Sequence, residues 1–141
     1  IYLDNLNTST LTNMSGMFYG TTNLTEINVD SFTFENIQSI ENIEFLFGLS
    51  GLTTIYCNQD WLEMLPAYSE GELFYDCYSL KGARQYDGDY TGIDMANPTF
   101  GYFTSLPKEN QINIILNGQR ISAIMLNGNP ITKVMLGETS I

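Results

Sequence analysis

The chain has 141 residues, 43% of them hydrophobic, and 16 acidic against five basic residues give it a formal net charge of -11. That length supports one hydrophobic core with at most a small appendage. The acidic balance argues against nucleic acid as a partner, because phosphate contacts need clustered Lys and Arg. The apolar runs are far shorter than the roughly 20 residues that cross a bilayer, so we expect no membrane insertion.

The charge is unevenly distributed along the chain. Residues 1–80 contain eleven acidic residues and no Lys or Arg, whereas residues 81–141 contain five of each sign. This change suggests two modules with a boundary after residue 80, and a solubilising charge on an exposed surface is the alternative explanation. The sequence begins at Ile1, inside the first of the repeats described next, so we expect a fragment from which any targeting signal has been removed.

Three similar units follow one another from the start of the chain. They begin at Ile1, Ile27 and Ile55, and apolar blocks at 17–20, 45–48 and 73–76 recur near their ends. A period of this length is typical of solenoids. Alternation at the start of each unit predicts a strand, with Ile27 and Val29 facing inward.

The apolar block of each unit has the spacing of a short helix. Met14, Met17 and Phe18 stand at positions i, i+3 and i+4, which would place them on one helical face. Asn13 or Ser15 could cap that helix at its start, and Gly20 could end it. Each helix would then press its apolar side onto the strand of its own unit.

The segment NTSTLTNMSGMFYGTTNLTEI, residues 7–27, resembles the BspA-like leucine-rich surface repeats of host-associated bacteria. The third unit keeps LFYDCYSLKG, with Cys77 at the position of the cysteine in those repeats, and residues 86–104 resemble the segment that caps such arrays. The resemblance implies an α/β solenoid of three leucine-rich-repeat units with a cap, over residues 1–106. It also implies an extracellular or cell-surface protein of a bacterium, with a role in adhesion and host contact.

A different repeat of ten residues fills the tail, residues 107–141. INIILNGQRI, SAIMLNGNPI and TKVMLGETSI follow one another, and the Asn117-Gly118 pair is typical of a two-residue hairpin turn. We predict a small antiparallel β-hairpin module with strands at 112–116, 119–126 and 130–136. The tail resembles the short L-N-G repeats of phage and prophage tail proteins. That resemblance leaves open a phage tail or fibre protein located in the virion, with oligomerisation through these repeats.

The exposed face of the predicted strands is the best candidate for binding, because solenoids commonly bind ligands on this extended surface. Tyrosines beside acids and amides suit a protein or glycan on another cell surface, and ordinary solvated strand residues are the alternative. This predicts a recognition or adhesion module, and a purely structural spacer is the third possibility. The residues of this face are Tyr2, Asp4, Glu26, Asn28, Asp30, Thr54, Tyr56 and Asn58.

The remaining candidates for chemistry are few. Asp87, Asp89 and Asp94 surround a glycine and could ligate calcium, but the full alternating pattern is missing, and a surface turn is the alternative. Cys57 and Cys77 could form a disulfide or remain two buried thiols. The chain has no histidine, the commonest general base and metal ligand, and no catalytic or phosphate-binding motif. We therefore expect no enzymatic activity, no cofactor and no resident metal.

Overall fold

A computed structural model describes residues 3, 6–65, 71–106, 113–116 and 119–122. The chain separates into two compact units, Ile1–Leu106 and Pro107–Ile141. The first unit contains the strands β1 (Glu26–Asn28), β2 (Thr54–Tyr56) and β3 (Phe103–Thr104), and the short helix α1 (Trp61–Met64). The second contains the strands β4 (Asn113–Leu116) and β5 (Gln119–Ser122).

Strands β1, β2 and β3 form a parallel sheet in that order. Ile27 lies opposite Ile55, and Ile55 lies opposite Phe103, so one buried residue from each strand forms a row that faces the core. Their neighbours Asn28, Tyr56 and Thr104 form a second row on the other side of the sheet, which is partly exposed. This arrangement follows from the period of two in an extended chain.

A set of stacked turns lies across the core from the sheet. It comprises residues 14–20, 42–49 and 72–76, and we call it the turn ladder. Its backbone hydrogen bonds run between neighbouring turns: Met14 N donates to Asn42 O at 2.7 Å and Phe18 N donates to Leu46 O at 2.9 Å. Phe47 N likewise donates to Leu73 O at 3.0 Å. Some N–H groups of the ladder thus bond to the neighbouring turn, and others, such as Met17 N to Met14 O at 3.1 Å, bond three residues back within their own turn.

The predicted solenoid of three leucine-rich-repeat units is wrong. The described chain has a three-stranded parallel sheet and little helix, and its third strand comes from Phe103–Thr104, in the segment that was expected to cap the array. The first strand predicted at Ile1 lies largely outside the described residues. The three units share the stacked turns described above, but the third strand of the sheet comes from outside their repeated strand positions.

The predicted helices in the apolar blocks are also wrong, for a backbone reason. Gly16 and Gly20 have φ angles of 62° and 69°, which interrupt a right-handed helix. The N–H of Phe18 donates to the neighbouring turn, so it is not available for an i→i-4 bond within its own segment. The helical spacing was coincidental, because Met14 is 1% exposed and Met17 is 38% exposed.

Aromatic side chains fill the space between the turn ladder and the sheet. Phe47 stacks between Phe18 and Phe74, with ring centroids 5.8 and 5.6 Å apart. Trp61 is completely buried and contacts Phe47 on the ladder side and Phe103 of β3 on the sheet side, at 6.0 and 4.9 Å. Trp61 therefore links the ladder side of the core to the sheet side. Burial of rings of this size dominates the energetics of a small core.

Helix α1 places Trp61 in this core. The side chain of Asp60 accepts a hydrogen bond from Leu62 N at 2.9 Å, which caps the first turn of the helix. Trp61 N donates to Ala96 O at 3.0 Å, so the helix is also tied to the segment before β3. Among the described residues the helices have only three or four residues, and none is suited to crossing a membrane.

Two buried polar residues fix the chain that leads into β3. The Oδ1 of Asn97 accepts hydrogen bonds from the backbone N–H groups of Thr99, Phe100 and Gly101, at 3.0, 2.9 and 3.2 Å. The hydroxyl of Tyr102 donates to backbone carbonyl oxygen, with Tyr90 O at 2.7 Å, and accepts from the N–H of Asp87. These bonds fix the direction in which β3 enters the sheet.

In the second unit, β4 and β5 pair in antiparallel fashion around residues 117–118. Asn113 lies opposite Ser122 and Leu116 opposite Gln119. Strand β4 lies within the predicted range 112–116 and β5 within the predicted range 119–126, of which residues 112 and 123–126 lie outside the described residues. The strand predicted at 130–136 lies outside the described residues.

Candidate functional site

The structure brings together six of the eight residues predicted to form a binding face. Glu26 lies opposite Thr54 and Asn28 opposite Tyr56 across β1 and β2. Asp30 and Asn58 follow at the ends of the two strands and are joined by hydrogen bonds. Tyr2 and Asp4 lie outside the described residues.

Asp30 and Asn58 have a structural role. The Oδ1 of Asp30 accepts the backbone N–H of Asn58 at 2.7 Å, and the Oδ1 of Asn58 accepts the backbone N–H of Leu106 at 3.0 Å. Each side chain thus satisfies the backbone of the next segment just beyond its strand. Their best acceptor atoms are already used, so they align the strands and are poor candidates for direct ligand contact.

Two residues at this face were missed by the sequence analysis. Thr104 lies beside Tyr56 and extends the exposed row across β3, and the Nε2 of Gln59 donates to Asp30 O at 2.7 Å. Alternation of buried and exposed residues along a strand could have revealed Thr104. Tyr102 and Phe103 are both buried, however, so the period of two is not visible before Thr104. Gln59 follows the strand and has no local sequence signal.

We define the sheet face as the side chains of Glu26, Asn28, Thr54, Tyr56 and Thr104. Glu26 is exposed, and the other four are partly exposed. Together they carry a carboxylate, hydroxyl groups, one aromatic ring with a polar tip, and an amide whose Oδ1 accepts the N–H of Asp30 at 3.0 Å. This chemistry can donate and accept hydrogen bonds with a polar ligand while the tyrosine ring supplies apolar contact.

A cavity adjoins the sheet face at the start of β1. It has a volume of about 640 Å³ and is lined by Gly20, Thr21, Thr22, Asn23, Leu24, Thr25 and Glu26. Its lining contains hydroxyl, amide and backbone groups, and Glu26 belongs to both the cavity and the sheet face. This open depression, which also includes the apolar side chain of Leu24, extends the surface on which a ligand could rest beyond the sheet.

Both cysteines are free and buried, which decides between the alternatives left open by the sequence. Burial raises the pKa of the Cys57 thiol to about 12 and that of Cys77 to about 11. The Cys77 thiol donates to Phe47 O at 3.0 Å. Both groups stay protonated at neutral pH, so neither has the thiolate that a nucleophile requires.

The predicted calcium candidates hold a surface turn together. The Oδ1 of Asp87 accepts the N–H of Asp89 at 3.1 Å, and Asp87 Oδ2 lies 3.6 Å from Arg84 Nη2. Asp94 lies in the short 3₁₀ turn Ile93–Met95. Within the part of the chain that the structure describes, no three Asp, Glu, His or Cys side chains come close enough to hold a metal ion.

These elements define a small protein with a parallel three-stranded sheet on one side of its aromatic core and a ladder of turns on the other. Comparison of the chain with family models, curated proteins and solved structures finds no match. The geometry of the exposed surfaces is therefore the basis for assigning a function.

Proposed function

We propose that the chain is an extracellular recognition or adhesion module that binds a protein or glycan of another cell surface through its sheet face. The observation that carries the proposal is the continuous row Asn28–Tyr56–Thr104 across three strands. Parallel strands hold these side chains at fixed separations, so little conformational freedom is lost when a ligand binds. The resemblance of residues 7–27 to bacterial surface repeats supports a location on the surface of a bacterium.

The surroundings of the row support the same proposal. Asp30 and Asn58 fasten the strand ends, which keeps Tyr56 and Thr104 level with each other. Tyr56 lies in the middle of the row, and tyrosines in such positions are frequent anchors of binding energy. The proposal makes Tyr56 the central contact, with Thr104 and Asn28 as polar contacts on either side.

Binding to immobilised glycans and extracellular-matrix proteins tests this proposal with the full chain and a Tyr56→Ala, Thr104→Ala double variant. Losing a central aromatic anchor costs about 2 kcal/mol, so we expect affinity for the ligand found to fall about thirtyfold. Phe100→Ala is the matched control, because Phe100 is an exposed aromatic outside the sheet face. Unchanged binding in the double variant, or no ligand in either panel, contradicts the proposal.

The tail hairpin supports a second candidate, a phage tail or fibre component. Strands β4 and β5 pair locally, and a two-stranded hairpin alone is marginally stable in water. Association of tails from several copies would bury such strands and give a symmetric oligomer. A light-scattering mass of the full chain separates the candidates: a symmetric oligomer favours the fibre, and a monomer at all concentrations counts against it.

A further inference from the structure

The turn ladder presents an exposed row of aromatic rings. Tyr19 and Phe45 meet edge to face with centroids 6.3 Å apart, and Phe45 and Tyr75 meet in the same way at 5.8 Å. The two tyrosines are 47% and 38% exposed, respectively. We call these three residues the aromatic strip. It lies on the turn ladder and shares no residue with the sheet face.

The backbone holds the rings of this strip in place. Phe45 has a φ of 53°, a left-handed conformation that is costly for an aromatic residue. A Cβ atom on Gly48 would come within 2.9 Å of the Tyr19 ring, so a side chain at this position would clash with that ring. Leu49 and Asp76 also have left-handed backbones, with φ of 51° and 52°. Strain of this kind tends to accompany function.

Two carboxylates lie near the Tyr75 end of the strip. Glu72 is exposed, and Asp76 directly follows Tyr75 in the chain. The negative charge of Asp76, with smaller contributions from burial, Tyr19 and Glu72, raises the pKa of Tyr75. Residues 1–80 contain no Lys or Arg, and the first basic residues that follow them in the chain are Lys81 and Arg84. The strip is therefore an apolar surface within a negative field, which is complementary to cations.

The chain itself contains one example of the contact that such a surface favours. The Arg84 guanidinium lies over the ring of Tyr90, 4.9 Å from its centroid, and also pairs with Asp87 at 3.6 Å. A cation on an aromatic face beside a carboxylate gains from both interactions. Tyr75 with Asp76 offers the same two groups to a cation from another molecule, through Asp76 Oδ2, because Asp76 Oδ1 accepts the hydroxyl of Tyr78.

We propose that the aromatic strip is a docking site for a basic peptide segment of a partner protein. Its Lys or Arg side chains stack on the rings of Tyr19 and Tyr75 and pair with Glu72 and Asp76. Phe45 supplies the apolar contact between the two positions. This inference concerns a different surface from the proposed recognition function, so either can fail without the other.

Fluorescence anisotropy tests the inference with the full chain and a labelled peptide of alternating Gly and Arg. The comparison peptide carries citrulline in place of Arg, which removes the charge and keeps the size. We expect the Arg peptide to bind, the citrulline peptide to bind far less, and added salt to weaken binding. Loss of two cation–π contacts in a Tyr19→Ala, Tyr75→Ala variant should lower affinity about tenfold.

Two controls make the test specific. Phe100→Ala removes an exposed aromatic elsewhere and should bind like wild type. A Glu72→Gln, Asp76→Asn variant should lose affinity, whereas Glu35→Gln with Glu63→Gln removes the same charge at exposed positions outside the turn ladder and should not. The tyrosine substitutions are at exposed positions, and each single variant can replace the double variant if the latter fails to fold.

Four results would overturn the inference. They are no binding of the Arg peptide, unchanged affinity in the tyrosine variant, equal losses in the two charge variants, and equal affinity for the citrulline peptide. Binding of a neutral oligosaccharide that is lost in the tyrosine variant, without binding of the Arg peptide, would identify the strip as a glycan platform instead.

Discussion

Replacing Asn97 by Ala should destabilise the fold, because this buried side chain satisfies three backbone N–H groups before β3. Gly101 is buried, so its N–H would lose its partner without access to water, at a cost of about 1–3 kcal/mol. Thr99 and Phe100 are exposed, and water can partly replace their bonds, which adds about 0.5 kcal/mol or more each. The expected loss is therefore about 3 kcal/mol.

Urea unfolding followed by circular dichroism measures this loss in the full chain. With an m-value of about 1.5 kcal/mol per molar urea, the midpoint should fall by about 2 M. Thr99→Ala is the control, because it leaves the Asn97 acceptor and all three backbone donors in place. A midpoint shift below about 0.5 M for Asn97→Ala would refute the role assigned to this side chain.

Three further predictions concern strain, the thiols and the strand ends. Gly20→Ala should lower the free energy of unfolding in urea by about 1 kcal/mol, because the φ of 69° is unfavourable for alanine. The added Cβ meets open space and so adds no steric clash. An unchanged free energy of unfolding would contradict that backbone angle. Burial raises both thiol pKa values from 9.0, so the free energy of unfolding should decline as the pH rises from 9 towards 11 and 12. In unfolding measured against pH, a Cys57→Ala, Cys77→Ala variant should show a smaller decline. An equal decline in the wild type and in this variant would contradict the assignment of the pH dependence to the two buried thiols. Asp30→Ala should lower the free energy of unfolding by about 1–2 kcal/mol. Asp30→Asn retains one acceptor oxygen and should lower it less. Equal losses in the two variants would contradict the hydrogen bond assigned to Asp30.

The sequence identified the strand residues because their signal is local. Ile27 and Ile55 alternate with polar neighbours, and this period of two placed Asn28 and Tyr56 on the same side of the sheet. Their pairing needed only the similarity of two successive units. The third strand was missed because Phe103–Thr104 belongs to no repeat and pairs with β2 across nearly 50 residues of chain.

The turn ladder could not be predicted from spacing alone. Met14, Met17 and Phe18 match a helical face, but the left-handed angles at Gly16 and Gly20 redirect the chain. The bonds that replace a helix come from neighbouring turns, such as that of Leu46, and so depend on tertiary structure. Phe45 is a further case, because nothing in its sequence indicates a positive φ.

The candidate site was also only partly predictable. Exposure of Tyr56 follows from alternation, whereas the use of Asp30 and Asn58 to bond the backbone of the next segment depends on how the strand ends stack. The aromatic strip needed the structure entirely, since Tyr19 and Tyr75 stand in a block that the sequence assigned to the core. Residue type alone does not show which side chains of an apolar block are exposed to solvent.

The central claim is that the sheet face contacts the ligand, and Tyr56 tests it most directly. The measurement is the affinity of the full chain, by surface plasmon resonance, for the glycan or matrix protein selected in the binding screen. The account predicts that Tyr56→Ala weakens this affinity by about thirtyfold while Phe100→Ala leaves it unchanged. Equal affinities for wild type and Tyr56→Ala, with both proteins folded, would contradict it.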